Sequence, residues 1–412
     1  MEPTTSPITL PSTAAVEAEL ATAKSMEDFF GHEGIFARLF SKTMEQMLAA
    51  ELEQHLGYKK HDKKGVGSGN SHNGTYTRKL KTSTGEVELS VPRDRAGSFE
   101  PQVLPRYETR TNEFEDKIIA LYSHGTTTAD IVTFVYDTYG MSISKEQVST
   151  ITDKILPEVT EWQNRTLEAV YPIVYLDCIH IKLRTEGRIV TTAVYCALGI
   201  DLTGKKEVLG HWIGTGGEGA KFWLSVVTNL QSRGVQDILI ACVDGLTGFK
   251  EAIMAVFPRT TVQRCIIHQV RNTLKYINSG DEDRFILDLQ SVYKAPSREA
   301  AWTAFEQLKA TWGKSYGAAL SGWEEHWIDL TTYFDYPEEL RRIIYTTNTI
   351  ESYNRQLRKV TKAKSVFPTE NSLLKMLYLA TQNATKKWTA SVPNWGKVMC
   401  QLSIIFEGRL PL

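Results

Sequence analysis

A mixed α/β fold, with helical segments ahead of a mixed sheet and a helical insertion within it, is what this 412-residue sequence predicts. Three observations carry that reading. Residues 171–214 hold three β-rich runs, "YPIVYLDCIHIKLR", "RIVTTAVYCALGID" and "KKEVLGHWIG", separated by the short turns "TEG" and "LTG", as antiparallel strands are. From residue 218 onward, stretches of helical period alternate with continuous apolar runs: "EGAKFWLSVVTNLQSRG", "DILIACVDG", "GFKEAIMAVFP" and then "TTVQRCIIH", read as a fifth strand. Residues 280–340 break this rhythm with acidic helical sequence containing Trp302, Trp312, Trp323 and Trp327, an inserted helical domain.

The order βββ-α-β-α-β is that of the ribonuclease H-like fold, in which the fourth strand lies beside and parallel to the first through a right-handed crossover. Two amphipathic helices complete it, "YTTNTIESYNRQLRKVTKAK" at 345–364 and "SLLKMLYLATQNATKKW" at 372–388. Ahead of the sheet, residues 1–24 are rich in Pro, Ser, Thr and Ala and read as a disordered tail. Residues 28–56 space apolar residues at three and four, a helical pattern. "KKHDKKGVGSGNSHNG" (59–74) reads as a basic loop, and "YTRKLKTSTGEVELSVPRDR" (76–95) as a β-hairpin turning at "STGE". Three short helices follow over 114–156, stopped by Gly125 and Gly140; Ser144 and Gln147 are spaced as a capping box, and Pro157 lies past the third. They suit either a helix-turn-helix unit or a plain helical linker. The expected domains are the tail at 1–24, a region of helices, basic loop and hairpin at 25–110, a helix-turn-helix-like domain at 111–165, and a ribonuclease H-like domain at 166–279 and 341–412 split by the insertion at 280–340.

Composition narrows the function classes. No apolar run reaches the roughly 18 to 20 residues of a membrane span, and the N-terminus lacks a leader pattern, so a cytoplasmic protein is expected. Five scattered cysteines read as reduced core residues rather than a disulfide framework. The formal net charge of −1 hides segregation: residues 1–55 carry nine acids and three bases, whereas 56–81 carry seven bases and one acid. Residues 281–340 hold twelve acids and five bases, whereas 341–364 hold seven bases and a single acid, Glu351. Two basic zones between acidic ones form a footprint for nucleic-acid phosphates. The candidate contacts are Lys59, Lys60, Lys63, Lys64, Arg78, Lys79 and Lys81 in the first zone, and Arg355, Arg358, Lys359, Lys362 and Lys364 in the second.

Three acids carry the chemistry. Asp177 interrupts the apolar run "IVYLDCI", where an ionised group is costly without a positive partner; a buried salt bridge is the plain alternative. Asp244 ends the fourth strand, the edge where α/β ligand sites gather, although "DG" is also a common turn. Glu351 shares a helix face with Asn354, Arg355, Arg358 and Lys362, while Ile350, Leu357 and Val360 occupy another; a plain i,i+4 pair with Arg355 is the alternative. Three hard oxygen donors favour Mg2+ or Mn2+, as a pair of ions about 4 Å apart supporting in-line displacement at phosphorus. "CIIH", with Cys265 and His268, lacks the second ligand pair of a structural zinc site. His268 can lie near the attacked phosphate or be a satisfied structural residue. "GTGGEGAKFW" lacks the "GK[ST]" of a nucleotide loop, so Glu218 reads as an acid at a helix N-terminus and Trp223 as core.

These residues resemble the Mutator-class insertion-sequence transposases of bacteria, over about 50–390 and through six motifs in order: "VPRDRAGSFEP", "YLDCIHIKLR", "GEGAKFW", "VDGLTGFKEAI", "QRCIIHQVRN" and "YTTNTIESYNRQLRKVTKAK". The resemblance implies that Asp177, Asp244 and Glu351 form an Asp-Asp-Glu triad, with Cys265 and His268 as the accompanying C-x-x-H signature. It also implies an N-terminal region that binds terminal inverted repeats in double-stranded DNA, metal-dependent cleavage and strand transfer into target DNA, and a homodimer or larger assembly. A ribonuclease H-like nuclease or resolvase that cuts without joining, and a non-catalytic DNA-binding derivative, are the competing expectations.

Overall fold

A computed structural model describes residues 13–22, 24–25, 28, 34–65, 67–82, 85–105, 108–214, 219–245, 248–345 and 348–410. The chain divides into two compact units, one ending at Lys154 and the other beginning at Ile155. This division differs from the expected break at 165/166. Helix α6 (Leu156–Asn164) belongs with the sheet that follows it, because Gln163 accepts from the His211 amide at 3.1 Å and Arg165 donates to Glu207 and to the Val208 carbonyl, each at 2.7 Å.

In the first unit, helix α1 (Thr13–Leu20) occupies part of the stretch expected as a disordered tail; residues 1–12 lie outside those described. Helix α2 (Ile35–Leu56) ends at Gly57, whose φ of 78° lets its N–H turn back to the Glu53 carbonyl. The hairpin strands β1 (His72–Thr82) and β2 (Gly85–Asp94) pair antiparallel from Thr82 opposite Gly85, with Ser83 and Thr84 of the expected turn outside the described residues. Alternation in β2 buries Val87, Leu89 and Val91 against Leu48 of α2, Leu80 and Leu104. Helices α3 (Asn112–Ser123), α4 (Thr128–Tyr139) and α5 (Lys145–Asp153) start on the caps Thr111, Thr127 and Ser144, and Ser144 and Gln147 form a reciprocal capping box. Pro157 lies past the last of these helices, as read from sequence, and sits in the first turn of α6, where a missing N–H leaves no bond unmade.

The second unit is built on a five-stranded mixed sheet of β3 (Val170–Thr185), β4 (Arg188–Ile200), β5 (Lys206–Ile213), β6 (Asp237–Val243) and β7 (Thr261–Arg264), in the spatial order β5-β4-β3-β6-β7. β3, β4 and β5 run antiparallel, while β6 and β7 run parallel to β3. The parallel strands are reached through helices α7 (Ala220–Ser232) and α8 (Phe249–Val256), which cover one face with Trp223, Val226, Val227, Phe249 and Ile253. Glu218, assigned from sequence to a helix N-terminus, lies outside the described residues.

The sheet's other face receives the chain's last third. The Tyr175 hydroxyl donates to the Ile343 carbonyl at 2.8 Å, fixing helix α13 (Glu338–Ile344), and helix α14 (Asn348–Thr361) packs against β3. Helices α15 (Glu370–Thr385) and α16 (Trp395–Ile405) follow. Between sheet and α13 come α9 (Ile266–Leu274), α10 (Glu282–Tyr293), α11 (Arg298–Glu325) and α12 (Trp327–Thr331). Trp312 and Trp323 are buried in this acidic insertion, and the Trp323 indole donates to Thr273 of α9 at 2.8 Å. No described helix is long and apolar enough to cross a membrane.

One strand assignment is corrected. The fifth strand stops at Arg264, and Cys265 becomes the N-cap of α9, so "IIH" is helical. A short apolar run carries no period that separates strand from helix. The cysteines also split: Cys196, Cys242 and Cys265 are buried as expected, Cys178 is half-buried and Cys400 is exposed.

The interface between the sheet and α7/α8 turns on Trp223, fully buried, stacked on Phe249 at 4.1 Å and edge-on to Tyr195 at 4.7 Å. We expect Trp223→Ala to destabilise the sheet-bearing unit by about 3–5 kcal/mol, seen as a lowered denaturation midpoint by far-UV circular dichroism.

Candidate active site

β3 is continuously buried from Tyr171 to Asp177 and then alternates, with Ile179, Ile181 and Leu183 inside and His180, Lys182 and Arg184 outside. The change falls where β6 ends. β6 pairs with β3 only as far as Val243 opposite Leu176, so Asp177 and Asp244 are the next residues on two neighbouring parallel strands. Both side chains point away from the face that α7 and α8 cover, because Leu176 and Val243 belong to that core and strand side chains alternate. Beyond Asp177 the freed edge of β3 is taken over by Phe367, which bonds to Lys182 and Arg184 through its backbone.

The two aspartates open into a cleft of about 1100 Å³ that is also lined by His268, Arg271, Glu351 and Asn354. Asp177 is 7% exposed and accepts from the Asn354 amide at 2.7 Å and from the Cys178 N–H at 2.9 Å. Burial pushes its carboxyl up to about 6, against the pull of His268 and with Asp244 adding repulsion. Asp244 accepts from the Gly245 N–H. The Gly245 carbonyl in turn accepts from the half-buried Arg264 guanidinium at 2.6 Å, an approach that a side chain at 245 would block, since its Cβ would lie 2.5 Å from the guanidinium.

His268 stands between the acids, with Nδ1 3.6 Å from Asp244 and Nε2 3.5 Å from Glu351. Burial opposes its positive charge, but a hydrogen bond with Cys265 and the nearby acids outweigh that and hold its pKa up to about 9, so it is an imidazolium at neutral pH. Its Nδ1 is buried without a hydrogen-bond partner. Once it gives up its proton, this ring is shared by two clusters of ligand-capable groups: Asp177, Asp244 and His268 in one, and Cys265, His268 and Glu351 in the other, each with its donor atoms within 4.8 Å. Both contain groups able to hold a metal ion.

Helix α14 delivers Glu351. Its buried side, Ile350, Tyr353, Asn354 and Leu357, faces the protein, and the Tyr353 hydroxyl is shared with His211 of β5 and, at 2.7 Å, with Thr381 of α15. Burial holds His211 down to about 3, so this junction is made by a neutral ring. Glu351 does not pair with Arg355, the plain alternative from sequence; Arg271 of α9 grips both its oxygens at 2.8 and 3.0 Å. Arg355, Arg358, Lys359 and Lys362 are exposed along the cleft.

The remaining sequence candidates have different settings. Lys364 lies outside the cleft, past the end of α14, half-buried with Nζ 5.5 Å from the Phe367 ring centre, and burial beside Lys375 pulls its pKa down to about 7. In the first unit Lys59, Lys60, Lys63 and Lys64 are exposed. Arg78 donates to the Pro105 and Glu108 carbonyls, Lys79 pairs with Glu86 at 2.9 Å, and Lys81 donates to the Ser142 carbonyl, so these three cations have partners within the chain. Sequence reasoning assigned no role to Arg271, Arg264 or the His211–Tyr353–Thr381 junction. Arg271 had a legible signal, since on a helix it follows His268 by three residues and shares its face.

The Mutator family transposase model matches residues 12–391. A probable transposase for an ISRM3-like insertion sequence element of Sinorhizobium fredii is 40% identical over 392 residues, covering 95% of this chain and 97% of that protein. The transposase for insertion sequence element ISRM3 of Rhizobium meliloti matches with the same identity and coverage. Among solved structures, the Drosophila P element transposase strand transfer complex covers 71% of this chain and 84% of its own at 10% identity and a TM-score of 0.28, too slight a likeness to bear on the fold. The chain belongs to the Mutator family of transposases, and its function is that of a DNA transposase of an insertion sequence.

Proposed function

We propose that the second unit is a ribonuclease H-like catalytic domain in which Asp177, Asp244 and Glu351 act as an Asp-Asp-Glu triad for cleaving DNA at the element's ends and joining those ends to target DNA. The observation that carries this reading is the strand register: with Leu176 opposite Val243, the two aspartates follow on neighbouring strands at the mouth of the cleft that Glu351 also lines. An order of three antiparallel strands followed by two parallel ones, the fourth beside the first, supports the fold assignment.

The residues present fit a hard divalent cation. Asp177 is a buried carboxylate whose ionisation is penalised, and carboxylate oxygens are the ligands that Mg2+ and Mn2+ prefer. Asp177, Asp244 and Glu351 would hold the metal, which when bound supplies activation of a water or 3′-hydroxyl and stabilisation of the leaving oxygen. The chain's own groups do the rest. Asn354 fixes the orientation of Asp177 by donating to one of its oxygens. Arg264 holds the turn that aims Asp244. Arg355, Arg358, Lys359 and Lys362 seat the phosphates of the duplex as charge contacts rather than base readers. The exposed lysines of the 59–64 loop supply contacts to the terminal repeats, and two ends handled together call for a homodimer or larger assembly.

Linear DNA carrying candidate ends, incubated with the full chain and Mg2+, tests the triad. We expect Asp244→Asn to lose cleavage and strand transfer by on the order of a thousandfold, about 4 kcal/mol of transition-state stabilisation, while gel-shift affinity for the same DNA is retained. Cleavage that survives the substitution overturns the assignment, and cleavage without joined products in the unmodified protein replaces transposition chemistry at this site with a nuclease's. Neutralising Arg355, Arg358 and Lys362 to Gln is expected to weaken binding and to flatten its dependence on log salt by about 0.9 for each phosphate that the protein no longer neutralises. An unchanged slope would remove these side chains from the interface.

A further inference from the structure

Arg271 makes the most specific contact in the cleft, and it makes it to an acid that the proposed chemistry needs for a cation. Both guanidinium bonds run to Glu351, one to each carboxylate oxygen, at 2.8 and 3.0 Å. The pairing is a fork-to-fork arrangement, the strongest that a carboxylate makes with a side chain. Arg271 nonetheless leaves 56% of its side chain exposed, whereas Glu351 is 21% exposed. The acid is therefore held in place by α14, and the arginine is the partner with room to leave. α9 carries Arg271 and His268 on one face, so the same helix approaches Glu351 with two positive groups. A divalent ion at Glu351 meets both, and two cations cannot share one carboxylate at close range without a Coulombic penalty.

We propose that Arg271 is an exchangeable guard of Glu351: it neutralises the acid in the metal-free protein, and when a divalent cation takes Glu351 it transfers to a phosphate of the DNA lying in the cleft. The inference rests on the reading of Glu351 as a metal ligand. A guanidinium forks onto a phosphate as readily as onto a carboxylate, so no new group is required for the handover. Arg271 lines the same cleft as Arg355 and Arg358, the candidate phosphate contacts, so a phosphate seated there is open to it as well. By linkage, metal and DNA then favour each other: the ion releases the arginine that DNA uses, and DNA that captures the arginine bares the acid that the ion uses. Arg271 is a positioning and binding residue in this scheme and takes no part in bond making.

Mn2+ titration of the full chain, followed by calorimetry and by the electron spin resonance signal of the free ion, tests the exchange without any activity readout. Four proteins are compared without DNA: the unmodified chain, Arg271→Gln, Lys359→Gln as a control that removes one positive charge from the same cleft, and Glu351→Gln. We expect Arg271→Gln to tighten Mn2+ binding by about tenfold and Lys359→Gln by clearly less. Arg271→Lys, which keeps the charge but loses the fork, should fall between Arg271→Gln and the unmodified chain. In the presence of DNA, Arg271→Gln should flatten the salt dependence of binding by about 0.9 with Mn2+ present and leave it unchanged in chelator. If Arg271→Gln and Lys359→Gln shift Mn2+ affinity equally, or Arg271→Gln weakens it, the guard is overturned while the metal reading stands. If Glu351→Gln leaves Mn2+ affinity untouched, the underlying ligand assignment fails, and the guard with it.

Discussion

A carboxylate in the middle of a central β-strand is the constraint around which the second unit is arranged. Asp177 stands where the strand loses its parallel neighbour, and an ionised group at that depth is unfavourable unless its oxygens are bonded and its charge is answered. The chain answers locally with one amide, from Asn354, and one backbone N–H. The imidazolium of His268 and the more distant Arg358 supply opposing charge, yet burial prevails and the carboxyl remains easier to protonate than a free one. That residual imbalance is the physical reason to regard the cleft as built for a further positive charge.

Helix α14 converts this local imbalance into a site. One side of it is locked by Tyr353, which joins β5 and α15 through His211 and Thr381, and by the burial of Ile350 and Leu357. With that side fixed, the 3.6-residue period leaves no choice about where Glu351 and the cations emerge. The acid meets Arg271 of α9 and the basic side chains line the same cleft, so one short helix presents an acid and a row of bases together. The acid and the bases share one face of the helix, and the acid is answered by Arg271 of α9 rather than by its own helix's cations. The near-neutral total of the chain says nothing about either.

Much of this architecture was legible because it is local. The strands of the sheet were announced by β-branched runs between short turns, the hairpin by alternation around "STGE", and α5 by its Ser144–Gln147 capping box. The errors fell where local signals compete. "CIIH" is apolar enough for a strand, yet Cys265 caps a helix, and Thr13–Leu20 turns helical in a stretch whose composition favours disorder. Lys364 belongs to the same run of cations as Lys362, but α14 ends at Thr361, and the chain then tucks Lys364 against Phe367.

The sequence by itself determined which residue types stand at which spacing: an acid within an apolar run, an acid at a strand's end, and one acid at the head of a basic helix, with a family signature across them. Periodicity and turn chemistry act over a few residues, so they can be read from order alone. Only the tertiary structure decided that Arg271, eighty residues before Glu351, takes both of its oxygens, that Asn354 bonds Asp177, and that His268 stands between acids drawn from three different parts of the chain. Such contacts depend on how strands register and how helices rotate about their axes, and those are settled by the packing of the whole unit.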